Sequence, residues 1–399
     1  MIATLNAQKA TSNTDSMDVL KDQNVVVLIN YLRSLHTDVF RVINQRVKRL
    51  TILVSTPMEP DRQWEPDWAD LDVVVQKNWT IVRKWRHSKG FKEDNFVHVP
   101  MDSLSQLRRL QPDIVFSFEL GARTLLSTFH RGCGKDVPVV AVGNMSELIE
   151  SERGLARRLL RGWLKRRVDY FTYNGPSCQR YLASLGVPPS RMFHFPYYFD
   201  SKKVFRGGKQ FSQDGIARLV FSGNLNARKG IREMMDRLRN WAVTHPDRRV
   251  QLAICGTGPE EEILKSDIPS NLQIELRGHC DDAQLRDAYA EADICLFPTL
   301  ADEWGLVPVE AFGSGLPVLG SVYAQSIEVL AKEGENGWYF KPDDSRDFAQ
   351  ALEKALETSP NQLAEMSLAC RETIADITAE RCADYFCEVI RTAIRNKLT

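Results

Sequence analysis

Two acidic residues, Asp302 and Glu310, lie with seven residues between them in the stretch ADICLFPTLADEWGLVPVEAFGSGLPVLGS. The apolar run Ile294–Pro298 predicts a buried strand, and a helix is expected to begin near Gly305. In an open parallel sheet, ligands bind beyond the carboxyl ends of the strands, and the free N–H groups of a helix N-terminus attract phosphate. Carboxylates repel phosphate but accept hydrogen bonds from hydroxyl groups. We therefore predict a site for a ligand that is both phosphorylated and polyhydroxylated.

Basic residues follow an earlier strand, in LVFSGNLNARKG. Gly223 would allow close approach of a ligand, and Arg228 and Lys229 at the start of a helix would hold a diphosphate. The alternative is an ordinary strand-to-helix turn with exposed basic side chains. In the next such turn, ICGTGPE, Gly256 and Gly258 either leave room for a nucleotide or simply form the turn. The third glycine of a dinucleotide fingerprint is missing, which argues against an NAD-dependent dehydrogenase.

The composition is that of a globular protein. The chain has 399 residues, of which 43% are apolar and 26% charged, which favours two domains. Lys+Arg and Asp+Glu both number 52, so the net charge argues against a nucleic-acid partner. The eight cysteines show no spacing typical of a zinc site or a disulfide framework, and no apolar run is long enough to span a bilayer. We expect a cytoplasmic protein that needs no metal and no bound cofactor.

Strands alternate with helices twice along the chain, which predicts an α/β protein with two doubly wound parallel sheets. The polar, glycine-containing stretch SKKVFRGGKQFSQDG separates the two halves. Small-molecule sites are often found in clefts between domains. We predict a disordered tail at 1–22, a Rossmann-like domain at 23–202, a linker at 203–216, a second Rossmann-like domain at 217–378 and a final helix at 379–399.

The second half resembles the retaining glycosyltransferases of family 4, which have the GT-B fold. The resemblance covers residues 218–358 and rests on SGNLNARKG, ICGTGPEEEIL, LRGHCDDAQLRDAYAEADICLFPT, DEWGLVPVEAFGSGLPVLGS and EGENGWYF. The first half matches only in its strand–helix rhythm and in GVPPSRMFHFPYYFD. The resemblance implies a UDP- or GDP-linked sugar donor on the second domain and an acceptor on the first. It also implies that the final helix crosses back onto the first domain.

The resemblance assigns roles to several residues of the second domain. Lys229 would hold the donor diphosphate, and Arg228 would compensate for Asn224, which occupies the position of the family's arginine. Glu310 would hold the nucleotide ribose. Either Asp302, where the family usually has glutamate, or the adjacent Glu303 would lie near the donor sugar. The backbone of Trp304, Gly305 and Leu306 would hold sugar or phosphate.

Three further residues are candidate site residues, and each also has an ordinary structural explanation. Asn144 occupies the position at which many family members have a histidine near the sugar, and Glu147 follows closely. They can equally be a strand-end cap and an ordinary first-turn acid. His279, which follows a predicted strand, lies at the correct sheet edge to approach the nucleotide, or is a simple turn histidine.

The segment SERGLARRLLRGWLKRRV predicts an amphipathic helix with a strongly basic face. One interpretation is a helix packed on the first sheet with its charged side in water. The other is peripheral contact of the 153–168 helix with anionic lipid on the inner face of the membrane. We expect the apolar side chains to pack on the sheet, so that such contact would be electrostatic rather than insertive.

These patterns predict a retaining, metal-independent glycosyltransferase that moves a sugar from a nucleotide-diphosphate donor to a glycan, lipid-linked or small-molecule acceptor. Two alternatives remain open. The same fold serves phosphorylases and epimerases. The departures at Asn224, Asp302 and Asn144 would also fit a nucleotide-sugar-binding protein with a weakened catalytic site.

Overall fold

Two parallel sheets organise the residues described by the computed structural model, which are 19–59, 67–68, 70–87, 89–130, 136–150, 153–200 and 208–398. The strands are β1 (Asn24–Ile29), β2 (Arg49–Val54), β3 (Asp72–Val75), β4 (Asn78–Arg86), β5 (Lys92–Pro100), β6 (Ile114–Phe118), β7 (Val139–Gly143), β8 (Tyr170–Tyr173), β9 (Met192–His194), β10 (Ile216–Ser222), β11 (Arg249–Cys255), β12 (Leu272–Gly278), β13 (Ile294–Phe297), β14 (Val318–Ser321) and β15 (Gly337–Phe340).

Helices connect these strands. They are α1 (Ser34–Arg46), α2 (Ser103–Leu110), α3 (Ala122–His130), α4 (Glu147–Glu150), α5 (Leu155–Leu164), α6 (Pro176–Ser184), α7 (Ile231–Thr244), α8 (Asp282–Glu291), α9 (Leu306–Gly313), α10 (Gln325–Leu330), α11 (Ser345–Glu357), α12 (Pro360–Ile374) and α13 (Ala379–Leu398). The predicted α/β class, with two doubly wound parallel sheets, is confirmed.

The first sheet has the order β3-β2-β1-β6-β7-β8-β9, and the second has the order β12-β11-β10-β13-β14-β15. Their central strands, such as VVVLI in β1 and ICLF in β13, are buried throughout because helices cover both faces. In each sheet the chain moves outward from a central strand in one direction and then in the other. The second sheet therefore has its topological switch point between β10 and β13, where ligands bind in open α/β sheets.

The final helix α13 packs on the first domain. Its Phe386 stacks on Phe116 of the first sheet with ring centroids 3.8 Å apart. Asp384 pairs with Arg46 of α1 at 2.6 Å, and the Asn396 side chain donates a hydrogen bond to the Tyr170 hydroxyl at 2.8 Å. These contacts attach the end of the chain to the domain with which it begins.

The predicted disordered tail at 1–22 ends too late. Residues 1–18 lie outside the described residues, but Leu20 is buried in the first core together with strand and helix residues. Val19 also packs against this core, and the polar residues around these two apolar side chains hide their signal in the sequence. Residues 201–207, within and beside the predicted linker, also lie outside the described part of the chain.

The basic helix α5 differs from our expectation. Leu164 is buried, but Leu155, Leu159 and Trp163 are 71%, 65% and 36% exposed. The reason is that the buried carboxylate of Glu150 pairs with two arginines of the helix. The face with these arginines therefore lies inward, and the face with the three apolar side chains lies toward solvent. The two arginines are Arg157 and Arg161, which pair with Glu150 at 3.1 and 2.5 Å.

A β-hairpin also departs from the predicted alternation of strands and helices. Strands β4 and β5 form an antiparallel pair separate from the large sheets. The alternation of Trp79, Ile81 and Trp85 is the signal of this hairpin, but the charged residues between them obscure it. Among the described residues, no helix combines the length and the apolar character needed to cross a bilayer.

Candidate active site

The candidate site lies at the switch point of the second sheet. Strand β10 leads into the turn that carries Arg228 and Lys229, and strand β13 leads into the loop 299–303. The two strands are neighbours in parallel register, with Phe221 opposite Leu296. Their carboxyl ends therefore bring these two loops together, as the sequence predicts.

Lys229 and Asp302 form the centre of the site. The Lys229 ammonium lies 2.6 Å from Asp302 Oδ2, and the Arg228 guanidinium lies 3.3 Å from the same oxygen. All three side chains are largely buried, with exposed fractions of 15%, 16% and 22% for Lys229, Asp302 and Arg228. We call these three residues the clamp.

The clamp carries a net positive charge. Burial alone would raise the pKa of Asp302, but the charges of Lys229 and Arg228 outweigh it and hold this pKa at about 2. Asp302 is therefore ionised at neutral pH. Two cations and one anion leave one positive charge, which suits a group with more negative charge than a single carboxylate, such as a diphosphate.

Backbone hydrogen bonds join the two loops. The Arg228 carbonyl oxygen accepts hydrogen bonds from the Leu300 N–H at 2.7 Å and from the Thr299 hydroxyl at 3.1 Å. The Asn226 side chain caps the turn by accepting a hydrogen bond from the Lys229 N–H at 3.2 Å. The position of Lys229 is therefore set by local capping and by the neighbouring loop.

Glu303 has a different electrostatic environment from Asp302. Burial, followed by the negative charges of Glu119, Glu150 and Asp302, raises the pKa of Glu303 to about 8, and Arg153 opposes this shift. Of these neighbours, only Asp302 belongs to the second domain. The two acids that the sequence left as alternatives thus occupy different environments, because Asp302 pairs with cations and Glu303 faces carboxylates.

Glu310 lies in helix α9, beyond the loop that carries the two acids. Its carboxylate accepts a hydrogen bond from the hydroxyl of the fully buried Tyr289 at 2.9 Å. Burial raises the pKa of Glu310, and the Lys229 charge acts in the opposite direction. The Tyr289 hydroxyl therefore holds the Glu310 carboxylate, and the Lys229 charge favours its ionised form.

The start of helix α9 follows the predicted pattern. Gly305 is the N-cap residue with φ +89°, a conformation that favours glycine, and Leu306 begins the helix. A Cβ at Gly305 would lie 2.9 Å from the Phe297 ring. Trp304 is 5% exposed and stacks on Tyr197 of the first domain, with ring centroids 5.6 Å apart. Its side chain therefore contacts the other domain, and its backbone leads into the helix start.

The glycines of the next turn have a structural role. A Cβ at Gly256 would lie 1.9 Å from the Gly223 carbonyl oxygen, and one at Gly258 would lie 2.4 Å from the Leu225 carbonyl oxygen. Both glycines are thus required by the close packing of the turns that follow β10 and β11.

The four remaining candidates lie in four different environments. Asn224 has an exposed side chain. His279 follows β12, an edge strand separated from β10 by β11. Asn144 lines a small cavity of the first domain together with His36, Phe118 and Tyr197. The Glu147 carboxylate pairs with Arg180 at 2.7 Å at the junction of the two domains.

Sequence reasoning missed Gln325, which connects the two domains. Its amide nitrogen donates to the carbonyl oxygens of Glu303 and, at 3.0 Å, Met145, while its amide oxygen accepts from the Cys178 N–H at 2.9 Å. The side chain is 2% exposed. No local pattern distinguishes this glutamine from any other residue at the start of a helix, so its role was not predictable from the sequence.

Comparisons with known proteins show which proteins the chain resembles. Residues 217–358 match the profile of the family described as "Glycosyl transferases group 1". The sulfoquinovosyl transferase SQD2 of Arabidopsis thaliana is 27% identical over 172 residues, which are 43% of this chain and 31% of that protein. A phosphatidyl-myo-inositol mannosyltransferase of Mycobacterium leprae is 34% identical over 126 residues, which are 31% and 33% of the two chains. The matched region spans about a third of the length of the curated relatives.

Solved structures share the whole architecture. The protein HepE of Anabaena, solved in complex with UDP, superposes with a TM-score of 0.66 and 13% identity, covering 92% of this chain and all of that one. The same protein has been solved with UDP-glucose. At this level of identity the likeness establishes the fold of two Rossmann-like domains.

Proposed function

We propose that this chain, whose residues 217–358 belong to the group 1 glycosyltransferases and whose two domains have the GT-B fold, transfers a sugar from a nucleotide-diphosphate donor to an acceptor with retention of configuration. The observation that carries the proposal is the clamp at the switch point of the second sheet, with Lys229 2.6 Å from Asp302 and one net positive charge. The ligands of HepE, UDP and UDP-glucose, support a nucleotide sugar as the donor.

The proposed reaction breaks the bond between the anomeric carbon and the diphosphate, and forms the new bond on the same face of the sugar. The departing diphosphate oxygen takes the proton of the acceptor hydroxyl. Such a loose transition state needs stabilisation of the developing negative charge rather than a protein nucleophile. Lys229 and Arg228 would supply this stabilisation directly, so the proposed mechanism needs no metal ion.

Roles for the two acids of the loop follow from their environments. Asp302 holds both clamp cations in position until the diphosphate of the donor displaces it. Glu303, which faces Glu119 and Glu150 of the first domain, would meet the donor sugar on the acceptor side. Glu310 would hold the ribose, with the Tyr289 hydroxyl fixing the orientation of its carboxylate.

A thermal-shift screen against UDP- and GDP-linked sugars tests the proposed donor. Binding to the folded state raises the unfolding temperature, so the correct donor is expected to raise it by several degrees at about a hundred times its dissociation constant. The same sugars as 1-phosphates should give little shift because they lack the nucleotide. Transfer should then persist in a chelating agent.

Other outcomes of the screen would support different functions. Product formation from a sugar phosphate without any nucleotide would identify a phosphorylase-like enzyme. Tight binding of a nucleotide sugar without transfer or hydrolysis would identify a binding protein. An absence of binding to the entire panel would refute the proposed function.

We further propose that helix α5 attaches the protein to the anionic inner face of a membrane, which would fit a lipid-linked acceptor. Leu155, Leu159 and Trp163 follow one another at intervals of four residues and therefore lie on one face of the helix. The exposed Phe129 lies beside Trp163, with ring centroids 6.1 Å apart. Exposed arginines flank this apolar surface, namely Arg158, Arg166 and Arg167.

This surface differs from our expectation of a purely electrostatic contact, since apolar side chains are available for insertion. Leucine and tryptophan with flanking arginine are the composition of helices that lie in the membrane interface. Each basic residue near an anionic surface adds about 1 kcal/mol. The mannosyltransferase of Mycobacterium leprae has a lipid, phosphatidyl-myo-inositol, in its name, which fits a location of that relative at a membrane.

Vesicle flotation tests the membrane contact. The protein should float with phosphatidylcholine vesicles that contain about one-third phosphatidylserine and should not float with neutral vesicles. The double variant Leu159→Ser/Trp163→Ala is expected to bind at least about fivefold more weakly. Leu368→Ser, which changes an equally exposed leucine of the second domain, is the matched control. Absence of wild-type binding at low salt would refute the contact.

A further inference from the structure

The tip of the β4–β5 hairpin belongs to the first domain but packs on the second. We define the hairpin tip as Trp85, His87, Lys89 and Phe91. Phe91 is 2% exposed and shares a small apolar cluster with Leu300 and Ala301 of the second domain, which are 5% and 0% exposed. The half-buried Trp85 and Ala227 complete this cluster on the two sides of the domain boundary, together with Ile149.

The apolar partners of the tip are direct neighbours of the clamp in the sequence. Ala227 precedes Arg228, and Ala301 precedes Asp302. The hairpin tip therefore shares one apolar cluster with residues of both loops that carry the clamp. A change in its position would be transmitted to the clamp through a single peptide unit in each loop.

A second contact involves a polar group of the tip. The Lys89 ammonium pairs with Asp343 and lies 4.9 Å from the centre of the Tyr323 ring. The Tyr323 hydroxyl donates a hydrogen bond to Asp343 at 2.6 Å. The Tyr323 carbonyl oxygen accepts a hydrogen bond from the Asp302 N–H at 3.1 Å, so this contact also leads to the clamp.

The tip is well anchored to its own domain. The His87 ring stacks on Phe91 with centroids 4.5 Å apart, and its Nε2 lies 3.0 Å from the Leu148 carbonyl oxygen. That oxygen can only accept, so Nε2 carries the proton, and Nδ1 is left to accept the Lys89 N–H at 3.1 Å. The Arg153 guanidinium covers the Trp85 ring at 4.1 Å.

We propose that the hairpin tip holds the two clamp loops in their catalytic position, with Phe91 and Lys89 as positioning residues. The clamp loops belong to the donor domain, whereas the tip belongs to the acceptor domain. The three clamp residues all belong to the second domain, but the first domain helps to set the position of their loops, which links the arrangement around the diphosphate to closure of the cleft. This inference rests on the proposed function, because it assigns a consequence for sugar transfer to the contact.

Amide hydrogen exchange tests the contact without any assay of activity. The N–H groups of Leu300 and Asp302 are hydrogen-bonded across the loops and report on the loop position. Phe91→Ala is expected to increase their exchange rates at least about tenfold because one packing surface of the loop is lost. Val82→Ala, an exposed residue of the same hairpin, should leave both rates unchanged. Unchanged exchange in Phe91→Ala would overturn the proposal.

Kinetics test the consequence. In Phe91→Ala, kcat for transfer should fall about tenfold or more, since small displacements of catalytic groups have effects of this size. The dissociation constant of the nucleoside diphosphate should change by less than about threefold, because the second domain would bind it alone. Phe91→Leu should restore most of the rate. A parallel loss of nucleotide binding and transfer would indicate general damage and overturn the positioning role.

A second pair of variants guards against misfolding of Phe91→Ala. Lys89→Met removes the pairing with Asp343 but keeps the length of the side chain, and Lys84→Met changes an exposed lysine of the same hairpin. Only the first should accelerate exchange at Asp302. If wild-type protein transfers no sugar while these exchange differences appear, the proposed function fails and the role of the tip in holding the loops stands.

Discussion

Replacing Lys229 by alanine is expected to lower kcat for sugar transfer by about a hundredfold or more, which is the usual effect of removing one group that stabilises a developing negative charge. The clamp loses its net positive charge in this variant, because Arg228 and Asp302 then neutralise one another. Transfer should not vanish completely, since Arg228 remains 3.3 Å from the carboxylate oxygen and can still reach a diphosphate.

The Lys229 variant should remain folded. Asp302 keeps a cationic partner in Arg228, so no buried carboxylate is left without compensation. Steady-state kinetics with the donor identified by the thermal-shift screen measure the loss, and the unfolding temperature reports on the fold. Lys332→Ala, which removes an exposed lysine of the same domain, is the control. A Lys229→Ala variant with unaltered kcat would remove the clamp from the mechanism.

Glu303→Gln is expected to stabilise the protein at alkaline pH and not at acid pH. The folded protein loses the Glu303 proton near pH 8, whereas an unfolded chain loses it near the ordinary value of 4.5. Between these values the folded state binds more protons than the unfolded state, so wild-type stability falls as the pH rises from about 4.5 to 8. Glutamine carries no charge at any pH and does not contribute to this loss.

The pH dependence of this effect can be measured directly. Below pH 5 the unfolding temperatures of the variant and the wild type should differ by a roughly constant amount. Above pH 8 the free energy of unfolding of the variant should rise by about 2 kcal/mol relative to wild type, which corresponds to roughly 5 °C in unfolding temperature. Comparison of variant and wild type removes the contributions of other titrating groups. Glu357→Gln, which changes an exposed glutamate, is the control. A difference that is independent of pH would show that Glu303 is not held neutral.

The charged groups around Glu303 determine the size of this effect. Glu119 and Glu150 approach from the first domain and Asp302 from its own loop, while Arg153 opposes them. Arg33 is a second cation in this region, since Glu303 contributes to the raised pKa of Arg33. Separation of the domains would remove the first-domain groups. The pH-dependent difference in stability between wild type and Glu303→Gln should therefore become smaller when the cleft opens. This difference thus measures domain closure.

The departures from the family pattern also acquire a physical interpretation. Asn224 stands where the family has arginine, and its side chain is exposed. Arg228, four residues later, donates to the Ala301 carbonyl oxygen at 3.1 Å and reaches Asp302 at 3.3 Å. Arg228 thus supplies the second cation of the clamp from a position four residues after Asn224. The compensation by Arg228 that the resemblance implies stays a prediction, which the contact with Asp302 supports.

Much of the fold was predictable because its signals are local. Apolar runs such as VVVLI and ICLF predict buried parallel strands, and the glycines after β10 and β11 mark turns. The alternation of these runs with helical patterns leads to two doubly wound sheets. It also places Lys229 and Asp302 after two central strands, and the helix N-terminus at Leu306 was predicted to within one residue.

The tertiary structure decided which groups meet and in what state. The pairing of Lys229 with Asp302 and the bridge made by Gln325 both join segments that are distant in the sequence. So does the apolar cluster that contains Phe91 and Ala301. By itself the sequence determined where strands end and which side chains follow them, because hydrophobic periodicity and turn chemistry act over a few residues. Only the tertiary structure decided that Asp302 is neutralised by two cations of its own domain while Glu303 interacts with carboxylates of the first domain, because a charge is set by all its neighbours in space.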